Sequence, residues 1–202
     1  MTEQKMRRPQ YVFQVVGTEP VMPHMVRVLF GGSGFDEFAR EVSERGSTDT
    51  YVKIMFAKPE LGLIPPYDLD ELRGRLAPED MPAQRTYTIR KVDHAARVIA
   101  IDFVTHGDTG IAGPWAERAR IGDEIVVSSP GGGYAPSPDV DEHFLLGDES
   151  ALPAIAAAIE SLPRAARGRA YIEVESADDE IAIDAPEGVE VFWLHRDGAA
   201  YG

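Results

Sequence analysis

Arg85-Thr86-Tyr87-Thr88-Ile89-Arg90 is followed within one strand-turn-strand distance by His106-Gly107-Asp108-Thr109-Gly110. The first segment alternates like a β-strand, yet it carries two arginines, a tyrosine and two threonines. A strand that only fills a core has no need of so many hydrogen-bonding groups. Arginine offers a rigid fork for a phosphate. Tyrosine offers a flat apolar face with a hydroxyl at its edge, and threonine a small donor and acceptor. These groups suit a ligand with an aromatic ring at one end and phosphates in its middle. A flavin nucleotide is such a ligand.

Gly110-Ile111-Ala112-Gly113-Pro114-Trp115 reads as a glycine-rich turn opening a helix. Such turns point free backbone N–H groups at an anion, and a phosphate held there could also be gripped by Arg85. His106 stands next to Gly107 with no carboxylates at metal-ligand spacing, so a hydrogen-bonding place beside a nucleotide suits it better than metal ligation. A third segment, Gly147-Asp148-Glu149-Ser150-Ala151-Leu152-Pro153, lies where a strand turns into a helix. In doubly wound sheets the carboxyl ends of strands form the ligand crevice. Helix capping by Asp148 or Ser150 accounts for the same residues without a ligand. No G-x-G-x-x-G fingerprint is present. Asp178-Asp179-Glu180 reads as a solvated loop, and His195-Arg196 has no clear role.

The elements that must position these groups fall into two parts. Tyr11–Val16, Met25–Phe30, Tyr51–Phe56, Arg85–Arg90, Val98–Val104 and Glu124–Ser128 are short and rich in β-branched or aromatic residues. Six such strands suit a small closed barrel. Residues 64–82 form a long polar connection with four prolines, and residues 112–120 a short helix with Pro114 in its first turn. Gly131-Gly132-Gly133, Pro136 and Pro138 read as an interdomain linker. Beyond it strand and helix alternate: His143–Leu146, a helix over Ser150–Leu162, Arg169–Glu175 and Val189–Leu194. That order predicts a parallel sheet.

The chain has 202 residues, 44% of them hydrophobic, which is enough for a sizeable core. It contains no cysteine, which excludes disulfides, thiolate-bound metal, iron–sulfur clusters and cysteine nucleophiles. The first nine residues are polar and basic, without the apolar stretch of a secretory signal. Apolar runs are too short for a membrane-spanning helix. These features fit a cytoplasmic protein. A formal net charge of -14 argues against a nucleic-acid partner.

Taken in order, the Arg85–Arg90, His106–Gly110, Pro114-Trp115-Ala116 and Gly147–Ile155 segments resemble the siderophore-interacting proteins. These are FAD-dependent ferric-siderophore reductases similar to the ferredoxin-NADP⁺ reductase superfamily. The likeness runs from about Tyr11 to His195. It implies a six-stranded antiparallel FAD-binding barrel over residues 1–132 and a parallel-sheet, nicotinamide-binding α/β domain over residues 133–202. It also implies residue roles: Arg85 on the FAD pyrophosphate, Tyr87 beside the isoalloxazine, and Thr88 near the flavin N5 edge. Val104 and His106 would contact the flavin. Thr109, Ala112, Gly113 and Trp115 would lie along the phosphate and adenine. Asp148, Glu149, Ser150 and Ala151 would meet NADPH or NADH.

The chain departs from the family where Gly110-Ile111-Ala112-Gly113-Pro114 stands in place of Gly-Pro-Ala-Ser, removing a serine hydroxyl. It also ends at Gly202, where members carry a further strand and helix. The α/β part is therefore expected to be incomplete and to react poorly with NAD(P)H. The implied substrate is a ferric siderophore, with Lys53 as a candidate cation for it, and the flavin rather than any protein nucleophile carries the chemistry. A general NAD(P)H:flavin diaphorase and a non-catalytic flavin- or siderophore-binding module are the competing expectations.

Overall fold

Alternation builds the first half of the molecule. β1 (Gln10–Met22) turns Tyr11, Phe13 and Val15 inward, β2 (Met25–Gly31) Val28 and Phe30, and β3 (Tyr51–Phe56) Val52, Ile54 and Phe56. β4 (Ala83–Asp93) contributes Tyr87 and Ile89, β5 (Val98–Val104) Ile99, Ile101 and Phe103, and β6 (Glu124–Ser128) Ile125 and Val127. The six antiparallel strands close in the order β1-β2-β5-β4-β3-β6, and one apolar cluster fills the interior. The barrel expected from the sequence is thus present. The computed structural model describes residues 9–199.

Two helices escape the strand-by-strand reading. α1 (Phe35–Arg45) repeats Phe35, Phe38, Ala39 and Val42 at helical spacing. Its Phe38 meets Tyr11 and Phe13 edge-on, with ring centroids 5.1 and 5.2 Å apart. The preceding Gly31-Gly32-Ser33-Gly34 reads as a mere turn, which hides this start. α2 (Leu69–Arg75) interrupts the long connection before β4 and buries only Leu72, too little for a periodic signal. Asp68 caps it, accepting from the Glu71 N–H at 3.0 Å. Gln10 holds the same connection on β1 through both amide atoms, at 2.8 and 2.7 Å from the Tyr67 backbone.

α3 (Ala112–Arg118) leads to β6, and the linker follows. Its first part is stapled to the barrel. Tyr51 and Gly131 exchange backbone hydrogen bonds of 2.9 and 2.8 Å. A Cβ at Gly131 would come within 2.5 Å of the Tyr51 ring, so only glycine allows this approach.

The second part comprises β7 (His143–Asp148), α4 (Leu152–Ser161), β8 (Arg167–Val174) and β9 (Gly188–His195), a parallel sheet ordered β7-β8-β9. Ile155 and Ile159 of α4 pack on Ala170, Ile172 and Val174. The opposite sheet face presents Phe144, Leu146, Phe192 and Leu194 outward.

Apolar and ionic contacts join the two parts. Met22 and Met25, at the β1–β2 turn, lie in the same cluster as Leu152 and Ile172 of the α/β part, with Val104 packed beside them. Burying each methionine is worth about 1.5–3 kcal/mol. The Arg90 side chain is only 11% exposed and makes a bidentate pair with Glu160 of α4, at 2.8 and 2.6 Å. The cause is a register shift between Ile89 and Lys91, a bulge that re-aims the side chain.

Asp179, read from sequence as part of a solvated loop, is fully buried. It accepts from the His24 backbone N–H at 3.2 Å, lies 2.8 Å from the His24 ring nitrogen, and accepts from Ser176 at 3.1 Å. Burial alone would raise its pKa, but the hydrogen bonds from His24 and Ser176 outweigh burial and hold it below the usual carboxylate range. A depressed folded pKa stabilises above the unfolded value of about 3.9, and the gain disappears as pH falls through the folded value. The stability gap between wild type and Asp179→Asn is therefore expected to be full at neutral pH and to close on acidification below about pH 4. Urea midpoints measured across that range check this, and a gap independent of pH would contradict it.

Candidate functional site

The barrel wall has an open seam. Pairing between β4 and β5 stops at Ile89↔Ile101. Toward the start of β4, Arg85–Thr88 pair only with β3. Toward the end of β5, Asp102–Val104 pair with β2. Two strand edges that would otherwise bond each other are left facing a gap, and such backbone groups call for other partners.

Strand alternation sends Arg85 and Tyr87 to the same face as Ile89. Thr88 points to the other face, opposite Tyr51 in the register. The Tyr87 ring lies 4.4 Å from Phe103. Burial raises its phenol pKa, and the Arg85 charge offsets part of that rise, so the hydroxyl stays a neutral donor. The exposed Arg85 guanidinium donates to the Gln84 carbonyl at 2.9 Å and has no carboxylate partner among the described residues.

The glycine-rich turn closes onto the end of β5. A Cβ on Gly113 would lie 3.0 Å from the Val104 carbonyl oxygen, so glycine is what lets α3 seat there. Val104 itself packs toward the α/β core. Ala112 and Gly113 are buried, with backbone N–H groups in the unpaired first turn of the helix. His106 and Thr109 are exposed on the loop before it, and the Thr109 N–H donates to the His106 carbonyl at 3.4 Å.

Trp115 packs against Phe30, Phe56 and Phe103 at centroid distances of 6.2, 5.5 and 5.8 Å. Phe103 therefore links Trp115 to Tyr87. Trp115 also lines a cleft of about 640 Å³ together with Ile111, Met81, Pro59 and Tyr67. A second cleft of about 470 Å³ lies on the outer face of β3 and β4, where Lys53 and Arg73 stand with Asp68, Asp70, Gln84 and Ser128.

At the carboxyl end of the parallel sheet, Gly147 is required by close packing, since a Cβ there would be 2.5 Å from that of Ala151. Asp148 accepts from the Ser150 N–H and hydroxyl and from the Ala151 N–H, at 2.9, 2.6 and 3.2 Å. Burial would raise its pKa, but these bonds prevail and lower it. Ser150 is exposed, whereas Glu149 is 2% exposed and its carboxylate turns inward to Arg196.

Arg196 lies just beyond β9 and also reaches Glu173 at 3.1 Å and Glu175 at 3.3 Å. The sequence reading left Arg196 without a role and did not single out Glu173 or Glu175. The available signal was two carboxylates flanking Val174 at the end of an apolar strand.

A closed antiparallel barrel with one open seam, followed by a parallel sheet, is the ferredoxin-reductase-like fold. The siderophore-interacting FAD-binding domain matches residues 14–134, and the siderophore-interacting protein domain matches residues 140–202. An uncharacterised protein of Mycobacterium tuberculosis is 50% identical over 196 residues, 96% of this chain and 68% of that protein. The ferric vibriobactin reductase of Vibrio cholerae is 32% identical over 179 residues, 88% of this chain and 63% of that enzyme. The crystal structure of a siderophore utilization protein from T. fusca superimposes with a TM-score of 0.77 at 40% identity, covering 96% of this chain and 72% of that one. The chain belongs to the siderophore-interacting protein family, and its barrel is that family's FAD-binding domain.

Proposed function

We propose that this chain is an FAD-dependent ferric-siderophore reductase that draws electrons from a nicotinamide nucleotide. The observation that carries the reading is the seam between β4 and β5, with Arg85 and Tyr87 on its face and unpaired strand edges beside them. The residues there fit FAD. Arg85 and the first-turn N–H groups of α3 supply donors for a pyrophosphate. The cleft lined by Trp115, Ile111 and Met81 offers apolar walls for the adenosine half. Tyr87 borders the seam as a flat wall for the isoalloxazine, and Thr88 brings a hydroxyl to the same strand edge.

When bound, FAD supplies two-electron acceptance from a nicotinamide and one-electron delivery to Fe(III). The protein's own work is to bind, orient and shield. Arg85 neutralises phosphate charge, and Phe103 and Trp115 keep the base of the site dry. Lys53, on the outer face of β3, is the candidate cation for the anionic iron complex. The crevice at the ends of β7 and β8, with Asp148–Ala151 at its lip, is the assigned nicotinamide side. No nucleophile or general base is needed, since Fe(II) binds hard oxygen ligands less tightly than Fe(III) and leaves. A cytoplasmic setting, where nicotinamide nucleotides are abundant, suits this chemistry.

Three additions to the purified protein test the reading. A yellow protein that releases FAD on heating, bleaches with NADH or NADPH, and is reoxidised anaerobically by a ferric siderophore is the expected result. Bleaching without reoxidation by the ferric complex would indicate a general diaphorase. Retained flavin with no bleaching would indicate a binding module.

A further inference from the structure

Arg196 sits at the carboxyl end of the sheet with its side chain only 4% exposed, and carboxylates engage all three of its nitrogens. Its Nη1 donates to Glu149 Oε2 at 3.0 Å and to Glu173 Oε1 at 3.1 Å. Its Nη2 donates to Glu149 Oε1 and, at 3.3 Å, to Glu175 Oε2, and its Nε donates to the same Glu175 oxygen at 3.3 Å. The other Glu175 oxygen accepts from the Gly198 N–H at 3.0 Å. Among the described residues three carboxylates thus face one guanidinium, leaving two negative charges in excess. The nearby His195 is paired in its turn with Glu180 at 2.8 Å.

In doubly wound sheets the end of the second strand meets the adenosine ribose. A carboxylate there accepts from the 2′-hydroxyl of NADH, whereas an arginine there holds the 2′-phosphate of NADPH. Here β8 is the second strand: Glu173 stands at its end, and Arg196 reaches it from just beyond the neighbouring β9. The arginine is already saturated. Glu173 is 30% exposed in its side chain and commits only Oε1 to Arg196, so Oε2 is open to accept a hydroxyl. A phosphate in the same place would meet the charge of Glu173 and Glu175, and the guanidinium of Arg196 among the described residues is already committed to carboxylates.

We propose that the Arg196–Glu149–Glu173–Glu175 cluster makes this chain select NADH over NADPH, with Glu173 as the residue that discriminates. The inference rests on the proposed nicotinamide reading of the sheet. It names the nucleotide that this site takes.

Calorimetric titration of the FAD-loaded protein with NAD⁺ and NADP⁺ tests it without turnover. NAD⁺ is expected to bind tighter by about tenfold or more at low salt. The ratio is expected to narrow in about 1 M salt, because like-charge repulsion is screened there. Glu173→Gln keeps Arg196 paired with Glu149 and Glu175, so its melting temperature is expected to stay close to wild type. Its binding ratio is expected to move several-fold toward NADP⁺. Glu190→Gln, on the same sheet but paired with Arg169, is expected to leave the ratio unchanged. Equal affinities, tighter NADP⁺, or a Glu173→Gln ratio identical to wild type would overturn the proposal. Failure of both nucleotides to bind would instead remove the nicotinamide reading itself, and this inference with it.

Discussion

Arg196→Met is expected to lower folding stability by about 3–5 kcal/mol, the usual cost of removing one partner from a buried ion pair. The substitution keeps much of the side-chain volume, so the loss comes from charge rather than from a cavity. Glu149 is left 2% exposed with its carboxylate facing two others and no cation between them. The double variant Arg196→Met with Glu149→Gln removes the orphaned charge and is expected to recover part of the loss. Urea denaturation of wild type and the two variants gives the answer. If Arg196→Met matched wild type, the buried network would carry no net weight in the fold.

Arg85→Ala is expected to weaken FAD binding by roughly 10- to 150-fold, equivalent to the about 1.5–3 kcal/mol of a hydrogen bond to a charged group. Stability of the apoprotein is expected to change little, because Arg85 is exposed and its guanidinium donates to the neighbouring Gln84 carbonyl. Arg90→Ala, five residues along the same strand, is expected to show the opposite pattern. Its guanidinium spans to Glu160 of α4, so stability and domain coupling suffer while FAD affinity stays within about threefold of wild type. Fluorescence titration of the three apoproteins with FAD, alongside thermal melts, separates the two roles. Equal losses of FAD affinity at both positions would mean that the phosphate is held elsewhere.

Barrel and sheet were legible in the sequence because their signals are local. Alternation in Tyr51–Phe56 and Val98–Val104 marks strands that are buried on one side. Alanine-rich helix α4, flanked by strands, marks the parallel unit. The motif around Arg85, Tyr87 and Thr88 was legible for the same reason: three chemically distinct groups on one strand have no use in a plain core. α1 was missed because glycines stand at both of its caps, and α2 because it is short and buries a single leucine.

What the sequence by itself determined was the inventory: which residues can grip a phosphate, border a ring or cap a helix, and which segments alternate with period two. Only the tertiary structure decided how they are used. The β4–β5 seam exists because each strand finds its partner on the other side, a fact of barrel closure that no single segment carries. Arg90 became an interdomain tie because a bulge turned it toward α4. Glu149 and Arg196, 47 residues apart, became partners because three parallel strands end side by side there. Burial then makes that pairing obligatory, since a charge withdrawn from water must find its opposite within reach.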